Sequence, residues 1–421
     1  MTTEQSATAV RAVQWWNDST VLHRFISDLV IDEFRHLRPG GLGLPQQTLA
    51  GSARIDKDLG ADSLELLSLA TALTEVIHLH ESGIEDYLLV RRTVADWVDS
   101  AAQGLSVFSS KLTFRTSGST GMPKPCTHEL AALCQEIEYL AGSFQGRRRI
   151  LTAVPCHHIY GFLFTILLPR ALGIDSDAVI DIRNTLPSAF ARRVQPGDLV
   201  IGHPEFWRAL ARGVPAVGHD VIGVTSSGPC PDDVSDAVTD AGLSALYQIY
   251  GTSETAGIGW RPSRSEPYAL FPYWSTDSDR PGSLIHTHVD GRSQEMMLPD
   301  RLDWKGPSTF TVGARLDSAV QVGGVNVFPG QVREVLLGHP DVADAFVRLM
   351  RPEEGSRLKA FVVPQPGVSH DGALYSALCD WTATHLPPVA RPRAITFGHR
   401  LPRTASGKME DWPLDAIVDT L

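Results

Sequence analysis

The stretch Arg115-Thr116-Ser117-Gly118-Ser119-Thr120-Gly121-Met122-Pro123-Lys124 follows a short run of β-forming residues, Lys111 to Phe114. Glycines and small hydroxyl side chains let a backbone come close to a phosphate. N–H and O–H groups can then donate to it, and Lys124 adds a cation. The Gly-Lys-Ser/Thr ending of a Walker A loop is absent, so this would be a phosphate cradle of another kind. The bland alternative is a Ser/Gly-rich loop with no ligand.

Outward from this loop the texture of the chain changes in both directions. Downstream, the runs RILTAVP, GDLVIGHP, HDVIGVTSSG and ALYQIYG alternate with helical stretches, which predicts a mostly parallel α/β sheet. Upstream, VLHRFISDLVIDEF and SLELLSLATAL carry apolar residues at helical spacing, separated by the loop RPGGLGLPQQ. Beyond Arg315, SAVQVGGVNVFP reads as a hairpin, VREVLLGHP as a helix, and ADAFVRLM and KAFVVPQ as strands. The fold class is therefore α/β in three parts: a helical domain over 1–104, an α/β core over 105–316 and a small α+β domain over 317–421.

With 421 residues, 43% of them hydrophobic and 20% charged, the chain has the composition of a soluble globular protein. The net charge of -11 would repel a nucleic-acid backbone, whereas a small phosphate can still be held locally by N–H groups. Five cysteines without metal spacing suggest a reducing compartment. The N-terminus shows no signal pattern, and the longest apolar run, Ile159 to Leu168, is too short to span a membrane. The expectation is a cytoplasmic protein.

Several other segments invite a chemical reading. In Pro155-Cys156-His157-His158-Ile159-Tyr160-Gly161-Phe162, a flat polar ring such as His158 could close a pocket behind a carboxylate; a histidine satisfied at a strand end is the plainer account. Thr225-Ser226-Ser227-Gly228-Pro229 is a turn sequence. In Tyr250-Gly251-Thr252-Ser253-Glu254 the hydroxyls can donate to phosphate, and Glu254 suits Mg²⁺, directly or through water. A capped helix start would use the same Thr-Ser-Glu.

TSGSTGMPK closely resembles the phosphate loop of the acyl-adenylate-forming superfamily, which includes acyl- and aryl-CoA synthetases, peptide-synthetase adenylation domains and firefly luciferase. The segments just quoted match that superfamily in the expected order. So do Leu298-Pro299-Asp300-Arg301, Gly313-Ala314-Arg315-Leu316-Asp317 and Leu401-Pro402-Arg403-Thr404-Ala405-Ser406-Gly407-Lys408. The resemblance implies that the turn at Gly228 stacks on adenine, that Tyr250 belongs to the ATP site, that Asp300 binds the ribose hydroxyls, that Arg315 contacts the nucleotide and that Asp317 is an interdomain hinge. It implies an acyl pocket lined by His158, Phe162, Trp207 and Gly251, and a catalytic lysine at Lys408. The sequence departs from the usual pattern at Leu298-Pro299-Asp300, at the residue inserted before Asp317, at Gln321 and at Arg333.

The implied reaction has a physical logic. A carboxylate attacking the α-phosphate of ATP brings two anions together, and a cation between them stabilises the charge that builds up. Lys408 fits that role, Mg²⁺ on Glu254 would offset phosphate charge, and the segment Thr116–Gly121 would cradle the pyrophosphate end. The expected substrate is an aryl acid such as a hydroxybenzoate. The resemblance points to ligases of aryl-polyene or xanthomonadin-type pathways. A luciferase-type oxygenase has no specific feature in its favour, and retention of Glu254 and Lys408 argues against a nucleotide-binding scaffold without catalysis.

Ile55-Asp56-Lys57-Asp58-Leu59-Gly60-Ala61-Asp62-Ser63-Leu64-Glu65 resembles the modification site of an acyl carrier protein, with Ser63 where phosphopantetheine attaches. Asp62-Ser63 would equally cap a helix. The expected thiol acceptor is an acyl carrier protein, in cis or in trans, with free coenzyme A as the alternative.

Overall fold

The computed structural model describes residues 14–38, 48–116, 124–213, 216–263, 265–277, 280, 282–316, 318–351, 353–369, 372–403 and 409–414. Ser117, Gly118, Ser119, Thr120, Gly121, Asp317 and Lys408 lie outside the described residues. In the main, the chain divides between Ala314 and Arg315 into two compact units.

The first unit begins with three long helices: α1 (Ser19–Leu37), α2 (Ser63–Ile77) and α3 (Val94–Val107). Helix α2 starts where it does because the Asp62 carboxylate accepts from Leu64 N and Glu65 N. The Glu65 carboxylate returns the contact to Asp62 N at 3.0 Å. The same device, Thr93 with Asp96, starts α3. Asp62 thus has a local structural role, as the N-cap of the helix that Ser63 begins.

Among the described residues, the helices of the domain expected over 1–104 share one core with later segments. Trp15 stacks edge-on against Phe25 at 5.3 Å and against Phe162 at 5.1 Å, and Phe162 meets Phe114 at 5.4 Å. All four rings are buried, so α1 needs the rings of later segments to cover its apolar face. One hydrophobic core runs through the helices and the sheet. A second link is Arg115, whose guanidinium donates to Glu75 at 2.7 Å and to Glu33 at 3.3 Å.

Strands β1 (Lys111–Thr116) and β2 (Lys124–Glu129) pair with each other and flank the glycine-rich segment. Helix α4 (Leu130–Ala141) follows. The main sheet contains β3 (Arg149–Thr152), β4 (Val179–Asp181), β5 (Asp198–Gly202), β6 (Ile222–Thr225), β7 (Ala245–Thr252), β8 (Ala256–Arg261) and β9 (Tyr268–Leu270). A separate three-stranded sheet is formed by β10 (Trp274–Thr276), β11 (Ser283–Thr287) and β12 (Ser293–Met297). Finally β13 (Asp300–Gly306) and β14 (Thr309–Arg315) complete a nine-stranded main sheet in the order β13-β14-β9-β8-β7-β6-β5-β3-β4.

This sheet is mixed. Strands β4, β3, β5, β6 and β7 run parallel, while β7, β8, β9 and β14 pair antiparallel. The parallel half reads as buried apolar runs, as in Asp198–Gly202, because both faces are covered. Between its strands lie α5 (Pro204–Gly213) and α6 (Asp232–Asp240).

In the second unit, β15 (Val320–Val322) and β16 (Val325–Val327) form the expected hairpin. Gly323 and Gly324 both have positive φ, 59° and 81°, which two central turn residues of this hairpin need and which glycine supplies without a Cβ clash. Helices α7 (Pro329–Leu337) and α8 (Gly372–His385) accompany a sheet of β17 (Val342–Leu349), β18 (Leu358–Pro364) and β19 (Ala394–Phe397). Val332, Leu336, Ala360, Val362 and Leu378 form its core.

Lys359, on the middle strand, is completely buried. Its amine donates to both Glu354 oxygens at 2.9 and 2.8 Å and to the Trp412 carbonyl at 2.8 Å, with the Asp411 carboxylate 3.0 Å away. Arg348 and Arg351 hold Asp411 as well.

Candidate active site

Four parallel strands end side by side, and their C-terminal ends carry the sequence-predicted groups. Pro155–His158 follow β3, Gly202 and His203 lie at the end of β5, Ser226–Gly228 follow β6, and Tyr250–Thr252 close β7. In open parallel sheets the crevice outside these strand ends is the place where ligands bind. Tyr160 ties three of the ends together, since its hydroxyl lies 3.0 Å from the Gly202 carbonyl and 3.1 Å from the Val224 carbonyl. Burial pushes that phenol well above its ordinary pKa, so it remains a neutral donor.

The Tyr250 hydroxyl donates to the Asp300 carboxylate at 2.9 Å, across 50 positions of sequence. Both residues are buried, and the Tyr250 ring also meets Tyr268 and Phe310. Two residues expected at the nucleotide are thereby brought together. At Gly251 a Cβ would sit 2.1 Å from the Ala256 carbonyl oxygen, so only glycine fits the bulge where the β7–β8 pairing changes register. Ser227 takes a positive φ of 71° just before Gly228, which turns the chain across the strand ends.

The Thr-Ser-Glu segment is a turn between antiparallel strands, and no helix starts there. Its shape is held by Thr252 and Thr255, whose hydroxyls lie 3.0 Å apart, and by His128, whose ring Nε2 lies 2.7 Å from the Ser253 carbonyl. Burial keeps the His128 imidazole below its ordinary pKa, so it is a neutral donor. Glu254 borders a cavity of about 260 Å³ together with Lys111, Thr127, His128 and Glu129. The cavity also holds His286, which burial lowers to about 4. The Glu254 carboxylate bordering this cavity could hold a hard cation such as Mg²⁺. Thr116 ends β1 and Lys124 begins β2, on either side of residues 117–123, and Arg315 ends β14.

Two predicted pocket residues are displaced. Phe162 has no exposed surface because it fills the aromatic cluster of Trp15, Phe25 and Phe114. Trp207 has none either, because Gly202 and Gly223 leave room for its indole beneath the sheet. Neither faces an open crevice. His158 is exposed to solvent. Crowding first, and then neighbouring His157, holds its pKa below the ordinary histidine range.

Helix α1 contributes groups that sequence reasoning missed. Asp28 accepts from Cys156 N at 2.8 Å and pairs with Arg183 at 2.8 Å. Asp32 lies 3.2 Å from His157 Nε2. The available signal was a pair of carboxylates, Asp28 and Asp32, four residues apart on one face of a mostly apolar helix.

Comparison with known proteins now bears on this arrangement. Residues 113–278 match the AMP-binding enzyme family and residues 331–408 match the AMP-binding enzyme C-terminal domain. The chain is 38% identical to a 4-coumarate–CoA ligase of Halorhodospira halophila, covering 91% of this chain and 99% of that one. The chain belongs to the AMP-binding enzyme family. A 4-coumarate–CoA ligase of Rhodobacter capsulatus is also 38% identical, over 88% of this chain and 94% of that one. Among solved structures, an amide bond synthetase from Marinactinospora thermotolerans superimposes with a TM-score of 0.59 at 18% identity. It covers 92% of each chain and shows the shared fold. As a member of this family of AMP-binding enzymes, the protein is an AMP-forming acid–thiol ligase that works through an acyl-adenylate. Among the described residues no helix is long and apolar enough to cross a membrane.

Proposed function

We propose that the chain makes the CoA thioester of a 4-coumarate-like aryl acid. The observation that carries this reading is the similarity to a 4-coumarate–CoA ligase along 91% of the chain. In this reading free coenzyme A replaces the acyl carrier protein expected as acceptor, and a hydroxycinnamate replaces the shorter hydroxybenzoate. Phosphopantetheine on Ser63 has no part in it.

In the first half-reaction a carboxylate oxygen of the acid attacks the α-phosphorus of ATP, and the bond to pyrophosphate breaks. Asp300 takes the ribose hydroxyls and the Tyr250 ring backs the base, with the Gly228 turn leaving room for it. Glu254 would hold Mg²⁺, which when bound would offset charge on the phosphates and on the departing pyrophosphate. Lys408 stands between carboxylate and phosphate, where negative charge builds up. His158, neutral and flat, backs the acid at the end of β3. In the second half-reaction the CoA thiolate attacks the acyl carbon and AMP leaves. Lys124 and the segment from Thr116 to Gly121 hold the pyrophosphate end, and Arg315 contacts the nucleotide. Asp317 is the hinge about which residues 317–421 move between the two halves.

The test is acid-dependent ATP–pyrophosphate exchange with 4-coumarate, benzoates and fatty acids, followed by thioester formation with CoA or with a loaded carrier protein. Exchange with 4-coumarate and product with CoA are expected. Exchange only with fatty acids, or product only with the carrier protein, would overturn the assignment.

A further inference from the structure

We propose that Asp32, His157 and His158 bind one borderline divalent cation of the zinc type. One potential ligand atom from each residue can be chosen so that all lie within 4.8 Å of one another. Asp32 comes from α1, while the two histidines lie in the loop after β3. The imidazole rings pack with centroids 4.0 Å apart, beside the carboxylate.

His157 supplies the second, independent observation. It is only 7% exposed, and neither of its ring nitrogens makes a hydrogen bond of proper geometry among the described residues. A buried imidazole without such a partner is costly, and a bound ion is one of the few ways to satisfy it. Asp32 Oδ2, paired with Nε2 at 3.2 Å, is close enough to share that ion, and Nδ1 makes no hydrogen bond among the described residues. Two imidazoles and one carboxylate suit Zn²⁺, Co²⁺ or Ni²⁺; Mg²⁺ prefers oxygen ligands alone. Three protein ligands leave a coordination position open, and the exposed edge of His158 makes it reachable from solvent. Asp28, one helical turn before Asp32, is engaged with Cys156 N and Arg183 and fixes the loop to α1. The inference shares His158 with the proposed acid pocket, but binding is read on the protein itself, so its failure is distinguishable from failure of that reading.

The experiment is equilibrium dialysis of the full-length chain, free of any affinity tag, against Co²⁺ in excess Mg²⁺, with the visible absorption of bound cobalt as a second readout. One Co²⁺ per chain is expected, displaced by Zn²⁺. Asp32→Asn and His158→Gln should each weaken binding at least about tenfold, while His80→Gln, at an exposed position elsewhere, should not. His158→Gln removes an exposed ring, so its result stands if Asp32→Asn proves unstable. No bound Co²⁺ on folded wild type, or undiminished affinity in His158→Gln, would overturn the proposal.

Discussion

Lys359→Met is the sharpest test of how the second unit holds the chain on either side of residues 404–408. That segment is bracketed by a bridge between Arg403 and Met409 and by a bond from Glu410 N to the Pro402 carbonyl at 2.9 Å. Immediately beyond it, Asp411 and Trp412 are gripped by Lys359. Methionine keeps the stem and removes the charge. Glu354 then loses both of its bonds to the amine, and the Trp412 carbonyl loses its donor. Breaking a buried ion pair costs about 3–5 kcal/mol. Glu354 keeps 15% side-chain exposure and Asp411 keeps two arginines, which places this case near about 3 kcal/mol. For a unit of this size, that corresponds to a melting temperature lower by roughly 10–20 °C.

The hydrogen bond from Lys359 also holds Glu354 below the usual carboxylate range. Its contribution is therefore present above the unfolded pKa and is lost as pH falls through the lower folded value, and the variant should lack that acid dependence. Calorimetry at several pH values measures both effects. If Lys408 acts as proposed, ATP–pyrophosphate exchange should fall further than thiol transfer from pre-formed acyl-adenylate. An unchanged melting profile would refute the clamp, and an equal loss in both half-reactions by a folded variant would refute its link to adenylation.

Four other outcomes are expected. Burial pushes Glu136 up to about 7 from 4.5, so its contribution to stability is lost as pH rises through that value. Glu136→Gln should flatten the pH dependence of unfolding and add up to about 3 kcal/mol at pH 8, at about 1.36 kcal/mol per pKa unit; an unchanged slope counts against it. Gly251→Ala forces a Cβ against the Ala256 carbonyl and should reduce pyrophosphate exchange at least about 100-fold in a folded protein. Phe162→Ala should destabilise the first unit by about 4 kcal/mol, with no separate early transition for residues 14–107 in a calorimetric trace. Ser63→Ala should leave CoA-thioester formation unchanged, and intact mass after treatment with a phosphopantetheinyl transferase should show no added group on the wild type.

Much of the site is legible in the amino-acid sequence. Tyr250, Gly251, Glu254 and Asp300 stand in short motifs whose spacing reflects local backbone demands, such as the bulge that only Gly251 permits. The hairpin at Val320–Val327 is readable for the same reason, because paired glycines at a tight turn act within a few residues. Phe162 and Trp207 are misplaced by sequence because an aromatic residue next to a motif looks the same whether it lines a pocket or fills a core. The boundary expected at residue 104 depends in a related way on distant contacts. Helix spacing and the Asp62-Ser63 cap are local and read correctly, but which surface covers Trp15 and Phe25 depends on Phe114 and Phe162, far along the chain.

The sequence by itself determined the class of chemistry, because phosphate cradles, strand-end turns and capping boxes are built from neighbouring residues. Only the tertiary structure decided that α1 belongs to the adenylating unit and that Asp28 and Asp32 reach the loop carrying His157 and His158. It also decided that Lys359 grips the chain beyond residue 408. Those contacts join segments 50 or more positions apart. Their energy comes from burial and charge pairing that no local pattern records.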